Sequence, residues 1–202
     1  MNYAIRSTFF TAALCPSDSK IITEETSTTW SSTQHNYPVC MGNTTFDSRD
    51  MTAGAVTVVG KKGLFVYEKP VAFRDCTDGL FNTIMVGEII TPEAFANWGA
   101  LGRIVQVGGT GFTCFNNPNS SVNDTVLRCH TDLGGALGAR CTATAGGEGD
   151  YAAQIVAPRS WHTGGVNVAF GDGSVRFISD HVNNATFRAL GGRSDGLTTG
   201  EY

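Results

Sequence analysis

The sequence has no long run of hydrophobic residues. Phe9, Phe10 and the stretch 12–14 form its N-terminal apolar segment. A transmembrane helix needs about 20 apolar residues, so this segment is far too short to cross a bilayer. It is also too short for the hydrophobic region of a secretory signal. We therefore expect no membrane span in this chain.

Charged residues are scarce, at 16% of the chain, and the formal net charge is −4. The richest basic patch, Lys61-Lys62, precedes Gly63 and is typical of a solvated turn. Without a basic cluster we expect no nucleic-acid partner. The 25 glycines, with many Thr, Ser and Asn, instead favour short strands and tight turns in a β-rich exported domain.

No C-x-x-C pair occurs, and Cys129 and His130 are adjacent rather than at ligand spacing, which argues against zinc. An even number of cysteines in a chain that looks exported favours disulfides, although their pairing stays open. We expect a local bridge among Cys114, Cys129 and Cys141, which share a Gly-rich region. Free buried thiols are the alternative for a cytoplasmic protein. The six cysteines are Cys15, Cys40, Cys76, Cys114, Cys129 and Cys141.

Alternation of apolar and small or polar residues predicts a β-hairpin near the C-terminus. The strands are residues 166–170 and 175–178, joined by the Gly-Asp-Gly-Ser turn 171–174. Further strands are predicted at 56–59, 64–67, 84–89 and 104–107, a helical turn at 75–82, and a short helix at 183–190.

His162 and Asp172 flank the first strand of this hairpin. His162 could act as a general base or metal ligand that Asp172 orients. The alternative is that His162 hydrogen-bonds the hairpin while Asp172 stabilises its own turn. We favour the structural alternative, because Asp-Gly in a hairpin turn explains itself. Two serines are candidate nucleophiles: Ser160 near His162, and Ser17, for which a turn after Pro16 is favoured.

Four segments resemble one protein family, in the same order. Residues 14–18 read LCPSD, residues 73–88 read FRDCTDGLFNTIMVGE, His162 is followed after nine residues by Asp172-Gly173, and residues 171–178 read GDGSVRFI. They resemble the bacterial prepilin-type family named for its H-X9-DG pattern. That family has no defined activity and is related to type IV pilins and secretion pseudopilins.

The resemblance implies an α+β fold, predominantly antiparallel β, of the pilin-head type. We expect a single domain over 1–202, with an irregular insertion at about 91–158 and a polar tail at about 194–202. It implies a structural role through assembly or surface contacts, with other pilin-like subunits or copies of itself, outside the cell or on the periplasmic side of its surface. The residues Cys15, Pro16, Asp18, His162, Asp172 and Gly173 would then be structural.

The chain departs from the family at its start. Full-length relatives open with a basic leader, a processing site and an apolar helix of about 20 residues. We expect either a soluble head domain or a reading frame cut short upstream. If the sheet keeps the family's apolar face, the N-terminal segment covers it or the chain self-associates.

Two other functions stay open. A hydrolase of esters or lactones would use His162 and Asp172 with Ser17 or Ser160. A glycan-binding module would use the tryptophans Trp30, Trp98 and Trp161, although packing in the core or at its rim is the favoured role of these three. A cation-binding module would use calcium, which needs six to eight converging oxygens. The sequence does not show that convergence, so we expect no cofactor. The candidate calcium ligands are Asp75, Asp78, Glu88 and Asp172.

Overall fold

The structure is a computed structural model. It describes residues 8, 10–18, 33–67, 69–91, 101–102, 109–127, 129, 141–144 and 151–197. Trp30, Trp98 and the strand predicted at 104–107 lie outside this part of the chain.

The described elements are nine short strands, one α-helix and four 3-10 helices. The strands are β1 Val39–Gly42, β2 Met51–Ala53, β3 Val56–Val58, β4 Ile84–Gly87, β5 Gly111–Thr113, β6 Asp124–Val126, β7 Cys141–Ala143, β8 Gly165–Phe170 and β9 Val175–Ser179. The α-helix is α1 Asn184–Gly191, and the 3-10 helices are Thr11–Ala13, Phe73–Asp75, Leu80–Asn82 and Tyr151–Ala153.

Five strands form the main sheet in the order β5-β1-β4-β8-β9. All neighbours are antiparallel except β1 and β5, which run parallel. The other four strands form two small sheets, β2-β3 and β6-β7. The predicted α+β, β-rich fold is therefore confirmed. No helix of the described residues has both the length and the hydrophobicity to cross a membrane.

The predicted hairpin is β8-β9, with Ala169 opposite Val175 and Val168 opposite Arg176. Gly173 takes a positive φ of 85°, which glycine adopts without steric penalty. Val166, Val168 and Ile178 are buried on one face of the hairpin, as the alternation predicts.

The core lies between that face and α1. Phe187 and Leu190 of α1 are fully buried and pack in one cluster with Phe112 and Phe170. Asn183 caps the helix, since its side-chain oxygen accepts hydrogen bonds from the N–H groups of Ala185 and Thr186. The predicted helix at 183–190 is therefore correct to within one residue at its end.

Two of the predicted secondary-structure elements differ from the structure. Residues 64–67 do not form a strand. An isolated bridge between Lys62 and Gly42 lies just before this segment. The helical turn predicted at 75–82 is two 3-10 helices, separated where Gly79 takes a positive φ of 89°. The span expected to be an insertion, 91–158, contributes β5 to the main sheet.

Candidate functional site

Three side chains from distant parts of the sequence meet at one end of the main sheet. Cys15 follows the first 3-10 helix, Glu88 directly follows β4, and His162 precedes β8. Nε2 of His162 lies 3.2 Å from Oε1 of Glu88 and 3.7 Å from Sγ of Cys15. We call these three residues the Cys-Glu-His cluster. Its ligand-type atoms all lie within 4.8 Å of one another.

Asn36 fixes the position of Cys15. Its side-chain oxygen accepts a hydrogen bond from the Cys15 N–H at 2.8 Å, and its backbone N–H donates to the carbonyl of Ala13 at 3.0 Å. The amide of Asn36 also donates to Asp18 at 2.6 Å and to the Ile89 carbonyl at 3.0 Å. One buried amide therefore ties the N-terminal segment to the chain that follows β4.

Asp18 is a buried carboxylate beside the Cys-Glu-His cluster. Its Oδ2 accepts hydrogen bonds from the N–H and the hydroxyl of Thr91 as well as from Asn36. Its Oδ1 accepts one from the indole of Trp161 at 3.3 Å. Hydrogen bonds of this number offset the loss of water around a buried charge.

Glu88 is the most buried member of the cluster. Its Oε2 accepts hydrogen bonds from the backbone N–H of Asn167 at 2.7 Å and from the Asn167 amide at 3.3 Å. Its Oε1 faces His162 and the hydroxyl of Tyr37, which lies 3.5 Å away. Burial, together with the nearby Cys15 and Glu88, raises the pKa of Tyr37 well above its ordinary value, so this phenol stays protonated.

His162 is the exposed member, with 32% of its side chain accessible. A local turn places it, since its N–H donates to Oγ of Ser160 at 3.1 Å. The Ser160 hydroxyl in turn donates to the carbonyl of Gly165 at 2.7 Å.

The contacts of His162 distinguish the cluster from a nucleophilic triad. In a triad the carboxylate contacts one ring nitrogen and the nucleophile contacts the other. Here the oxygen of Glu88 and the sulfur of Cys15 approach the same nitrogen, Nε2. The arrangement is instead one nitrogen, one oxygen and one sulfur that converge on a single point, as metal ligands do.

The family model described as "Protein of unknown function (DUF1559)" matches residues 4–185. The chain belongs to this family. DUF1559 is the family to which the H-X9-DG resemblance refers, and the whole Cys-Glu-His cluster lies within the matched span. No curated protein and no solved structure gives a significant match to the chain.

In this DUF1559 chain the carboxylate that contacts His162 is Glu88, while Asp172 lies at the other end of β8. Six residues of strand separate those ends by roughly 20 Å. Oδ1 of Asp172 accepts hydrogen bonds from the N–H and the hydroxyl of Ser174 at 2.9 and 2.7 Å. These bonds lower the pKa of Asp172 below its ordinary value.

The other sequence candidates have separate surroundings. Pro16 and Ser17 are exposed. Asp75 is exposed and accepts the N–H of Ala72, whereas Asp78 accepts the N–H groups of Asp195 and Gly196. The structure therefore does not bring Asp75, Asp78 and Asp172 into the surroundings of Glu88.

Cys15, Glu88 and His162 were all candidates from the sequence, but in separate roles. Asn36 and Tyr37, which support them in the structure, were not among the predicted residues. The available signal was that each member of the cluster lies inside, or begins, one of the four segments that resemble the family. A zinc site is recognised in a sequence by ligands at short spacing, whereas these three residues come from segments more than seventy residues apart.

Proposed function

We propose that this DUF1559 chain is the head of an exported pilin-like or pseudopilin-like protein, located outside the cell or at its surface. It acts by assembly with a second copy of itself or a closely similar subunit. The H-X9-DG resemblance supports this proposal, and so does the surface of the β8-β9 hairpin.

The observation that carries the proposal is an apolar strip on the outer face of the hairpin. Val175 and Phe177 of β9 are 68% and 49% exposed. Their cross-strand partners, Ala169 and Asn167, are only half-buried. The opposite face is packed in the core, so the hairpin has one filled face and one open face.

The position of β9 favours a second copy as the occupant. Among the strands of the described residues, β9 forms one edge of the main sheet, so its outer backbone groups can pair with another strand. Antiparallel pairing of two β9 strands would extend the sheet and join two apolar strips, which a twofold arrangement allows. Contact through both the edge and the face would bury apolar area as well as backbone groups.

The test is the mass of the particle in solution. Size-exclusion chromatography with light scattering should show concentration-dependent dimers or larger assemblies for the wild-type chain. Val175→Ser combined with Phe177→Ser should weaken association at least about tenfold, since two exposed apolar side chains contribute on the order of 1–2 kcal/mol or more.

Val56→Ser is the matched control, because Val56 is also an exposed strand valine, at 64%, but lies in β3 of a separate sheet. It should associate like the wild type. A wild-type chain that stays monomeric at all concentrations would overturn the proposal, and so would a folded double variant that associates normally.

The hydrolase hypothesis has less support from the structure. The proton of the Ser160 hydroxyl is committed to the Gly165 carbonyl rather than to His162. Cys15 is the only thiol in the cluster, and it is buried. It approaches Nε2 of His162, the same ring nitrogen that Glu88 contacts.

A further inference from the structure

We propose that Cys15, Glu88 and His162 form a zinc-binding site. This inference goes beyond the assembly role and does not depend on it. It assigns to the Cys-Glu-His cluster a ligand, Zn²⁺, and so gives a shared role to three side chains that meet at one nitrogen, Nε2 of His162.

The distances within the cluster fit a tetrahedral zinc centre. With Zn–S near 2.3 Å and Zn–N and Zn–O near 2.0 Å, tetrahedral angles put sulfur and nitrogen about 3.5 Å apart and nitrogen and oxygen about 3.3 Å apart. The corresponding separations are 3.7 Å for Cys15 Sγ to His162 Nε2 and 3.2 Å for Glu88 Oε1 to His162 Nε2. Two of the three pairwise separations therefore match a tetrahedral zinc centre, and the third, between the Cys15 sulfur and the Glu88 carboxylate, is within 4.8 Å.

Hydrogen bonding alone satisfies this arrangement poorly. Nε2 of a histidine carries either one proton or one lone pair, so it makes one good hydrogen bond. Here it faces both a carboxylate oxygen and a sulfur. A divalent cation between the three atoms would coordinate all of them at once, and it would also offset the negative charge of the buried Glu88.

The residues around the cluster hold its ligands in place. Oε2 of Glu88 is occupied by the backbone N–H of Asn167, which leaves Oε1 for the metal. The N–H of Cys15 is held by Asn36, and that of His162 by Ser160. Such outer contacts orient metal ligands and raise affinity.

The donor atoms select the metal. A thiolate with an imidazole and a carboxylate suits zinc, whereas calcium takes oxygen ligands almost exclusively. Three protein ligands leave one tetrahedral position for water. About a third of the His162 side chain is accessible, so the cluster lies close to the surface on the side of His162.

The first experiment uses the intact chain, stripped of metal and kept free of oxygen without a thiol reductant, so that the Cys129–Cys141 disulfide stays closed. Competition with a chromophoric chelator should show one Zn²⁺ bound per chain. Co²⁺ in place of Zn²⁺ should give the near-ultraviolet band of a cobalt–thiolate bond, together with the intense visible bands of tetrahedral cobalt. Binding of neither ion, or a cobalt spectrum without the thiolate band, would overturn the proposal.

Variants then identify the ligands. Cys15→Ser should abolish the thiolate band and weaken zinc binding more than about 100-fold, beyond the usual effect of losing an outer contact. Glu88→Gln and His162→Ala should also weaken it. The matched control is Cys76→Ser, since Cys76 is another buried free thiol, but one that contacts Thr83. It should bind zinc like the wild type.

If one ligand variant fails to fold, the other two still test the assignment against Cys76→Ser, while the cobalt spectrum of the wild-type chain shows that a thiolate binds the metal. Equal loss of binding in Cys76→Ser and Cys15→Ser would count against the assignment. So would unchanged binding in folded Cys15→Ser.

Discussion

At the scale of single residues, Asp18 makes more long-range hydrogen bonds than its place in a turn suggests. The LCPSD segment looks like a Pro-Ser-Asp turn, in which an aspartate usually bonds its neighbours in the chain. Here the carboxylate is buried and accepts hydrogen bonds from Asn36, Thr91 and Trp161 instead. It joins three segments that are remote in sequence.

Asp18→Asn should therefore destabilise the apo protein by about 2 kcal/mol or more. The amide puts an NH₂ group where the carboxylate accepts hydrogen bonds, so at least one buried donor faces another donor. Urea unfolding, followed by tryptophan fluorescence, measures the change. Asp75→Asn is the control: Asp75 is exposed and accepts one backbone N–H, so its change should stay within about 0.5 kcal/mol. Equal effects of the two changes would contradict this account.

At the scale of elements, the β8-β9 hairpin shows how closely a local pattern can determine structure. The alternation, the Asp-Gly turn and the buried face all follow from residues next to one another in sequence. The neighbours of the hairpin in the sheet do not follow from local residues. The strand β8 lies between β9 and β4, and no local pattern predicts that β4 is its neighbour. Sheet order depends on contacts between distant segments, which the pattern of one strand does not encode.

The turn of this hairpin predicts a pH dependence. Because hydrogen bonds from Ser174 lower the pKa of Asp172, its ionised form stabilises the folded state. That contribution is present above the ordinary value of 3.8 and is lost as the pH falls through the lower, folded value. Asp172→Ala should lower the unfolding temperature near neutral pH, and the difference from wild type should shrink in acid.

Differential scanning calorimetry over a pH series measures this difference in unfolding temperature. The control is Asp50→Ala, since Asp50 also accepts a backbone N–H but lies elsewhere on the surface. Asp172→Ala should leave zinc binding unchanged, since Asp172 is at the far end of β8. A loss of zinc binding in that variant would place Asp172 at the site and contradict the account.

At the scale of the whole molecule, the cysteines divide into one disulfide and four thiols. Cys129 and Cys141 form the disulfide, which confirms a local bridge in the Gly-rich region. Cys114 is not part of it; its sulfur lies 3.8 Å from that of Cys40 in the core, well beyond the bonded distance of about 2.05 Å. Burial raises the pKa of the Cys114 thiol well above its ordinary value, which keeps it protonated and unreactive.

Thiol titration should therefore find four reactive groups in denaturant and almost none in the native protein, because all four free cysteines are buried. Peptide mapping without reductant should recover a single linkage, between Cys129 and Cys141. Recovery of a peptide that links Cys40 to Cys114, or rapid modification of the native thiols, would contradict this assignment.

The sequence by itself determined the β-rich composition, the hairpin, the helix α1 and the family, since these depend on neighbouring residues and on matched segments. It also singled out Cys15, Glu88 and His162. Only the tertiary structure decided that these three meet, that Glu88 rather than Asp172 faces the imidazole, and that residues 64–67 form no strand. The physical reason is that strand pairing and side-chain contact between segments dozens of residues apart depend on how the whole chain packs, which no local periodicity records.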